Sequence, residues 1–381
     1  MKTFNLSIAA IAAMSIVSAS SADSLEEAIK NGKVSGAVQA YNFSRNVNSG
    51  KDYQITTLNL DLSYETARFY GFGAKATFQA AASPWASETA KDTRKGDMYG
   101  SGAQLSELYL SYVGGNTTVQ AGRMYFWSPV LGGSGSRPTK EAFQGISLVN
   151  SDLPDTTITL AYMNRMQSRT DGNGDIGEFT RTFTGWDGSE LEDGAYTIAL
   201  TNKSIENLTL TAAYLDAIDA YKTGYFEAAY NFGNFGLSSQ YYYSEQEDQD
   251  DTNLVGVQAT TSVGPVDLLA AYVTVDDADG VIPGAGNGAD LAYTWSEIFS
   301  DQYRADQDSF KLQAVYNINK DANVGISYVN EDNKAANEEY GYTAIKGSYN
   351  LTKSFNIWAA YEMGSQDAKN DGMRVKLNYT F

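Results

Sequence analysis

The chain is 381 residues long, with 46 acidic residues against 27 basic ones, a formal net charge of −19 and 13% aromatic residues. It has neither cysteine nor histidine. That excludes disulfides, thiolate or imidazole metal sites and the Ser-His-Asp and Cys-His catalytic arrangements, so no enzymatic function is expected. An acidic balance without a basic cluster also argues against nucleic acid as a partner.

The first 22 residues, MKTFNLSIAAIAAMSIVSASSA, carry a lysine, an apolar stretch from Leu6 to Val17 and small residues at the end. They read as a secretory signal peptide cleaved after Ala22, leaving 23–381 as one domain. No later stretch approaches the roughly 20 apolar residues of a spanning helix, so the exported product is expected to be either soluble or a barrel. A short polar helix-like segment, Ser24 to Lys30, comes next.

From there to the end, segments with apolar residues at every second position follow one another. Eighteen are counted, with sixteen as the alternative: 32–45, 56–65, 70–80, 103–113, 117–126, 143–150, 156–166, 194–201, 208–215, 224–232, 236–244, 253–263, 266–275, 309–318, 323–331, 340–350, 355–364 and 372–381. In 56–65 the residues sharing a face are Leu58, Leu60, Leu62 and Tyr64; in 309–318 they are Phe310, Leu312, Ala314, Tyr316 and Ile318. Short and long links alternate. The longest are 81–102, 127–142, 167–193 and 276–308. Apolar-phase aromatics sit near segment ends, such as Tyr64, Tyr112, Tyr230 and Tyr349 by the short turns and Tyr125, Tyr162, Tyr214 and Tyr272 towards the long loops. Two aromatic girdles around an apolar band predict an all-β transmembrane barrel, antiparallel and up-and-down, with short periplasmic turns and long extracellular loops. Its partners would be outer-membrane lipid and lipopolysaccharide outside and small hydrophilic solutes within. The ending GMRVKLNYTF, with Leu377, Tyr379 and Phe381 on one face, resembles the terminal signal read by the barrel-assembly machinery.

Residues of the opposite phase face the lumen. Arg45, Lys75, Arg165, Lys311, Lys346, Arg374 and Lys376 are its cations, six of them on strands that closure makes neighbours. Its acids include Asp61, Glu107, Glu227 and Glu362, with Glu65 and Asp267. A basic arc facing acids would set a transverse field for dipolar solutes; equally, any polar lumen wall would keep such charges hydrated. Arg123 has outward phase: either a bulge at Gly122 turns it into the pore, which is the favoured reading, or it snorkels to the rim. In the third long link, WSPVLGGSGSRPTKEA (127–142), the glycines permit an inward path that brings Arg137, Lys140 and Glu141 to a constriction. The acidic stretches 245–251 and 276–279 suit cation capture or plain solvated loop. DGNGDIGEF (171–179) starts like a calcium loop but has Ile176 where that loop needs glycine.

SLEEAIKNGKVSGAVQAYNFSRN, LSELYLSYVGG (105–115), RPTKEAFQGISLVN (137–150) and LTLTAAYL (208–215) are similar to OprD-type porins, closest to the major outer-membrane porins of ε-proteobacteria. The resemblance covers essentially the whole chain after the leader. It implies an 18-stranded barrel narrowed by its inward third loop, passive solute uptake, a homotrimer and a structural calcium ion near the constriction. The alternative function is a surface adhesin working through 167–193 and 276–308.

Overall fold

The structure, a computed structural model, describes residues 21–47, 52–94, 100–184, 190–246 and 249–381. Most of the expected leader, 1–20, lies outside them, as do Glu247 and Asp248 of the acidic stretch. Helix α1 (Leu25–Lys30) is capped by Ser24, whose side chain accepts from the Glu27 amide. The first wall strands are β1 (Lys33–Val47), β2 (Tyr53–Glu65) and β3 (Phe72–Ala86), and helix α2 (Glu88–Arg94) stands after them. Next come β4 (Gly102–Gly114), β5 (Thr117–Met124), β6 (Ala142–Asn150), β7 (Thr156–Gln167) and the two-residue β8 (Phe179–Thr180). They are followed by β9 (Ala195–Asn202), β10 (Leu208–Ala217), β11 (Tyr221–Asn231), β12 (Phe235–Gln246), β13 (Thr252–Val263) and β14 (Val266–Val275). The last five are β15 (Gln307–Asn317), β16 (Ala322–Asn333), β17 (Glu338–Asn350), β18 (Phe355–Gln366) and β19 (Asn370–Thr380).

All pairing between neighbouring strands is antiparallel, and β7 pairs with β9 past the short β8. The last strand returns to the first: Ala37 faces Thr380, Tyr41 faces Lys376 and Phe43 faces Arg374. Eighteen strands therefore form a closed ring, and each of the eighteen expected segments becomes a wall strand. Closure is what hydrocarbon demands, because an open edge would leave backbone groups unpaired at several kcal/mol each.

The two faces separate as the alternation requires. On β2, Leu58, Leu60 and Leu62 are exposed outward while Ile55, Thr57, Asn59 and Asp61 are buried inside. Outward Tyr112, Tyr230, Tyr316 and Tyr349 ring one rim, and Tyr214, Tyr272 and Tyr361 the other. Several expected long links shrink: 216–223 becomes 218–220 and 365–371 becomes 367–369. Apolar alternation stops where lipid stops. The hydrogen-bonded ladder does not, and runs on into tight turns with Asp219 and Gln366 at positive φ. Only the links 87–101, 125–141, 168–194 and 276–306 remain long.

Much of the lumen is filled. A continuous apolar core runs from Tyr109, Met124 and Phe143 through Phe183, Leu215 and Tyr242 to Val273, Val281 and Tyr303. A smaller cluster unites Tyr41, Phe43, Tyr53, Ile55 and Ala90, with Phe299 against it. Loops, not water alone, occupy the space that eighteen strands enclose.

Candidate functional site

Two loops build the interior. The link 125–141 folds into the barrel, and Lys140 fastens it to the wall: its Nζ lies 2.5 Å from Oδ2 of Asp61. Its amide donates to Oε1 of Gln79 at 2.7 Å, and its carbonyl accepts from Nε2 of Gln79 at 3.2 Å. Glu141 has a fully buried side chain. Its carboxylate accepts from the amides of Ser134 at 2.9 Å and Asn287 at 3.0 Å, from the Asn287 side-chain amide and from Oγ1 of Thr184 at 3.2 Å. Arg169 Nε stands 3.6 Å away. One carboxylate thus ties together the three longest loops. Arg137 lies near the exposed tip, its Nη1 donating to Ser136 Oγ at 3.3 Å.

The second loop, 276–306, crosses the lumen. Ala285 exchanges backbone hydrogen bonds with Val130 and Gly132, and Trp127 Nε1 donates to the Gly288 carbonyl at 2.9 Å. Glu362, on β18, accepts from Ser296 Oγ at 2.9 Å and from the amides of Glu297, Ile298 and Phe299 at 2.7, 3.2 and 2.9 Å. Glu227 accepts from Tyr225 and Tyr293 hydroxyls at 2.8 and 2.9 Å. Glu331 accepts from the Asp301 amide at 3.0 Å and from Gln302 Nε2.

The wall cations serve the same loops. Lys311 Nζ donates to the Trp295 carbonyl at 2.7 Å, and Arg374 reaches the carbonyls of Glu297 and Ile298 at 3.0 and 3.3 Å. Lys346 pairs with Glu297 at 2.5 Å, and the Arg45 guanidinium stacks on Phe299. Lys75 pairs with Glu107 at 2.8 Å, and Thr77 donates to the same oxygen. Lys376 donates to the Ser136 carbonyl at 2.6 Å and lies over the Tyr41 and Trp358 rings. Of the expected basic arc, Arg45, Lys75, Lys311, Lys346, Arg374 and Lys376 are inside, but mostly as loop anchors. The inward acids Asp61, Glu107, Glu227 and Glu362 are all buried. Glu331 was missed, although its phase in 323–331 is inward. Arg169 gave no signal, since a loop has no phase.

Two cations are placed on the outer face instead. The β4–β5 register passes Gly122 without a shift, and Arg123 faces Leu108, which is 52% exposed. Gly122 does not turn it inward. The bulge falls in β7: Gln144 faces Arg165 but Gly145 faces Met163, so Asn164 is the extra residue. Met163 stays buried inside, and Arg165 is reversed to the exterior beside Gln144 and Arg123. Tyr125, expected in the outer girdle, instead turns inward, its ring 5.3 Å from Lys140 Nζ. The wall strand has ended at Met124, releasing it.

The calcium-like turn does not fit a metal. Asp171 Oδ1 accepts from the amides of Asn173, Gly174 and Asp175 at 2.7, 3.0 and 3.1 Å. Partial burial pushes this carboxyl up, but those three amides outweigh it and hold it below its usual range. Among the described residues no group of three or more acidic side chains is set to hold an ion. In the second loop, burial pushes Asp290 up to about 7, with Glu141 adding to the rise and Arg169 and Arg137 opposing it. Burial likewise raises the Tyr293 and Tyr303 hydroxyls.

A closed antiparallel ring, apolar outside and polar within, narrowed by its own loops, defines an outer-membrane channel. The chain belongs to the Gram-negative porin family, whose model matches residues 7–379. It is an outer-membrane diffusion channel for small solutes, not an enzyme. Its fold is similar to the crystal structure of Pseudomonas aeruginosa OccK9 (OpdG), with TM-score 0.81 and 15% identity over 93% of this chain and 99% of that one. Acinetobacter baumannii OccAB2 gives TM-score 0.80 and 18% identity over 93% and 99%. Pseudomonas aeruginosa OccK3 (OpdO) gives 0.75 and 16% over 94% and 97%. No curated relative matches the chain by sequence.

Proposed function

We propose that solutes cross where the tip of the loop 125–141 faces β19, β1, β2 and β3, and that Lys376 sets the charge preference there. The observation that carries this is the Lys140–Asp61 ion pair, which holds the loop against that wall. Lys75 and Lys346 are neutralised by Glu107 and Glu297, so they add little field beyond a few ångströms. Among the described residues Lys376 has only a carbonyl and two aromatic rings as partners. In a planar bilayer under a salt gradient, Lys376→Glu should move the reversal potential towards cations. An unchanged potential would remove Lys376 from the solute path.

Four further assignments belong to this reading. Residues 1–22 act as a cleaved leader, supported by their composition. Leu377, Tyr379 and Phe381 are read by the barrel-assembly machinery, supported by their exposure on the outer face. The protein is a homotrimer in contact with lipopolysaccharide, and its nearest kin are the ε-proteobacterial major porins, supported by the motif likeness alone. The adhesin reading loses ground, because 276–306 is spent inside the barrel.

A further inference from the structure

The outer wall carries charge in an unexpected place. Arg123 is the penultimate residue of β5 and Arg165 the third from last of β7, both at the long-loop rim. Their register partner Gln144 stands between them on β6. Phe179 seats the pair: the Arg123 guanidinium carbon is 4.4 Å from its ring centre, and Arg165 Nη1 donates to its carbonyl at 3.3 Å. Arg123 Nε also approaches Gln144 Oε1 at 3.4 Å. All these partners are neutral. Other cations at this rim have acids: Lys222 with Glu245 at 3.3 Å, Lys334 with Asp308 at 2.8 Å. Neither arginine forms an ion pair among the described residues. Glu178, next to Phe179, is exposed and pairs with neither.

A cation on the lipid face is costly at the midplane and nearly free of cost at the interface, so these belong at headgroup level. Immediately along the same face, Ile146, Leu148, Leu160 and Ile198 line an apolar groove edged by Tyr162 and Tyr214. Two guanidinia above an apolar groove match one kind of molecule. Arginine forks onto phosphate oxygens bidentately, while a hydrocarbon chain fills the groove below. We infer that Arg123 and Arg165 bind the phosphate of an anionic lipid of the outer leaflet, whose acyl chain lies along the groove over β6, β7 and β9. The inference rests on the outer-membrane location and not on the solute path.

The test compares full-length wild type with R123Q/R165Q and R123K/R165K in neutral detergent, titrated with diphosphorylated lipid A and read by native mass spectrometry. Wild type should retain the lipid at a concentration about tenfold lower than R123Q/R165Q, with R123K/R165K between them. Dephosphorylated lipid A of the same acyl pattern should not distinguish the three. Inorganic phosphate at equal concentration should not displace the lipid. Single-channel conductance should be the same in all three, which also shows that the variants have folded. Equal retention by wild type and R123Q/R165Q would overturn the inference. So would loss of oligomers in R123Q/R165Q with lipid retention unchanged, which would give this face to a second copy of the chain.

Discussion

Glu141 shows how much one side chain holds. Removing it takes the shared acceptor away from the Ser134 and Asn287 amides and the Thr184 hydroxyl; buried donors left unsatisfied cost about 1–3 kcal/mol each. Glu141→Ala is expected to release the three loops together, seen as faster hydrogen exchange across 127–141 and 283–290 and as noisier single-channel current. Gly122 makes a different demand. It sits at φ +131°, where an added Cβ would lie 2.3 Å from the Leu108 carbonyl oxygen. Gly122→Ala should therefore lower the thermal unfolding midpoint by an amount corresponding to about 1–3 kcal/mol, measurable by circular dichroism in detergent. Phase alone located Asp61, Glu107, Glu227, Glu362 and most of the cations. It failed at Arg165, because the single extra residue Asn164 reverses every later side chain and nothing in the composition of YMNRMQ marks the slip.

At the scale of elements, the loop 276–306 is the least legible part and the most consequential. Its Val281, Ile282, Leu291, Tyr293, Trp295 and Phe299 are poor company for water. That was the available signal, but the two-residue alternation of Leu291, Tyr293 and Trp295 is too short for a wall strand, which needs about 9–11 residues. Shortening the loop between Gly284 and Gln302 should raise single-channel conductance; unchanged conductance would mean that the current passes elsewhere. The same loop brings a pH dependence. Asp290 has its folded-state pKa raised from near 4 to about 7, so packing favours its neutral form. That contribution is complete below about pH 4 and falls away as pH rises to about 7, above which the carboxylate is charged. Protection in 284–292, corrected for the intrinsic pH dependence of amide exchange, should fall between about pH 4 and pH 7 in wild type and stay constant in Asp290→Asn. The strands themselves were legible almost to their ends. Where they run longer than expected, backbone pairing continues into a region whose side chains no longer face lipid.

For the molecule as a whole, two solvents wrote a pattern that a single sequence preserves, and the order β1 to β19 follows from it without any long-range information. What the alternation could not convey is fill. A barrel of this circumference has room for a wide aqueous hole, yet the apolar cluster from Tyr109 to Tyr303 closes a large part of it. Conductance should accordingly fall well below that of an empty cylinder of eighteen strands.

The return of β19 to β1, with the Gly36 and Phe381 backbones bonded to each other in both directions at 3.0 Å, has a kinetic corollary. A ring has no end from which to fray. Peeling away any one strand bares two hydrogen-bond ladders at once, so dismantling begins with its steepest step. Persistence in a harsh detergent until the sample is heated, visible as a shift in gel mobility, is the everyday sign of such a barrier.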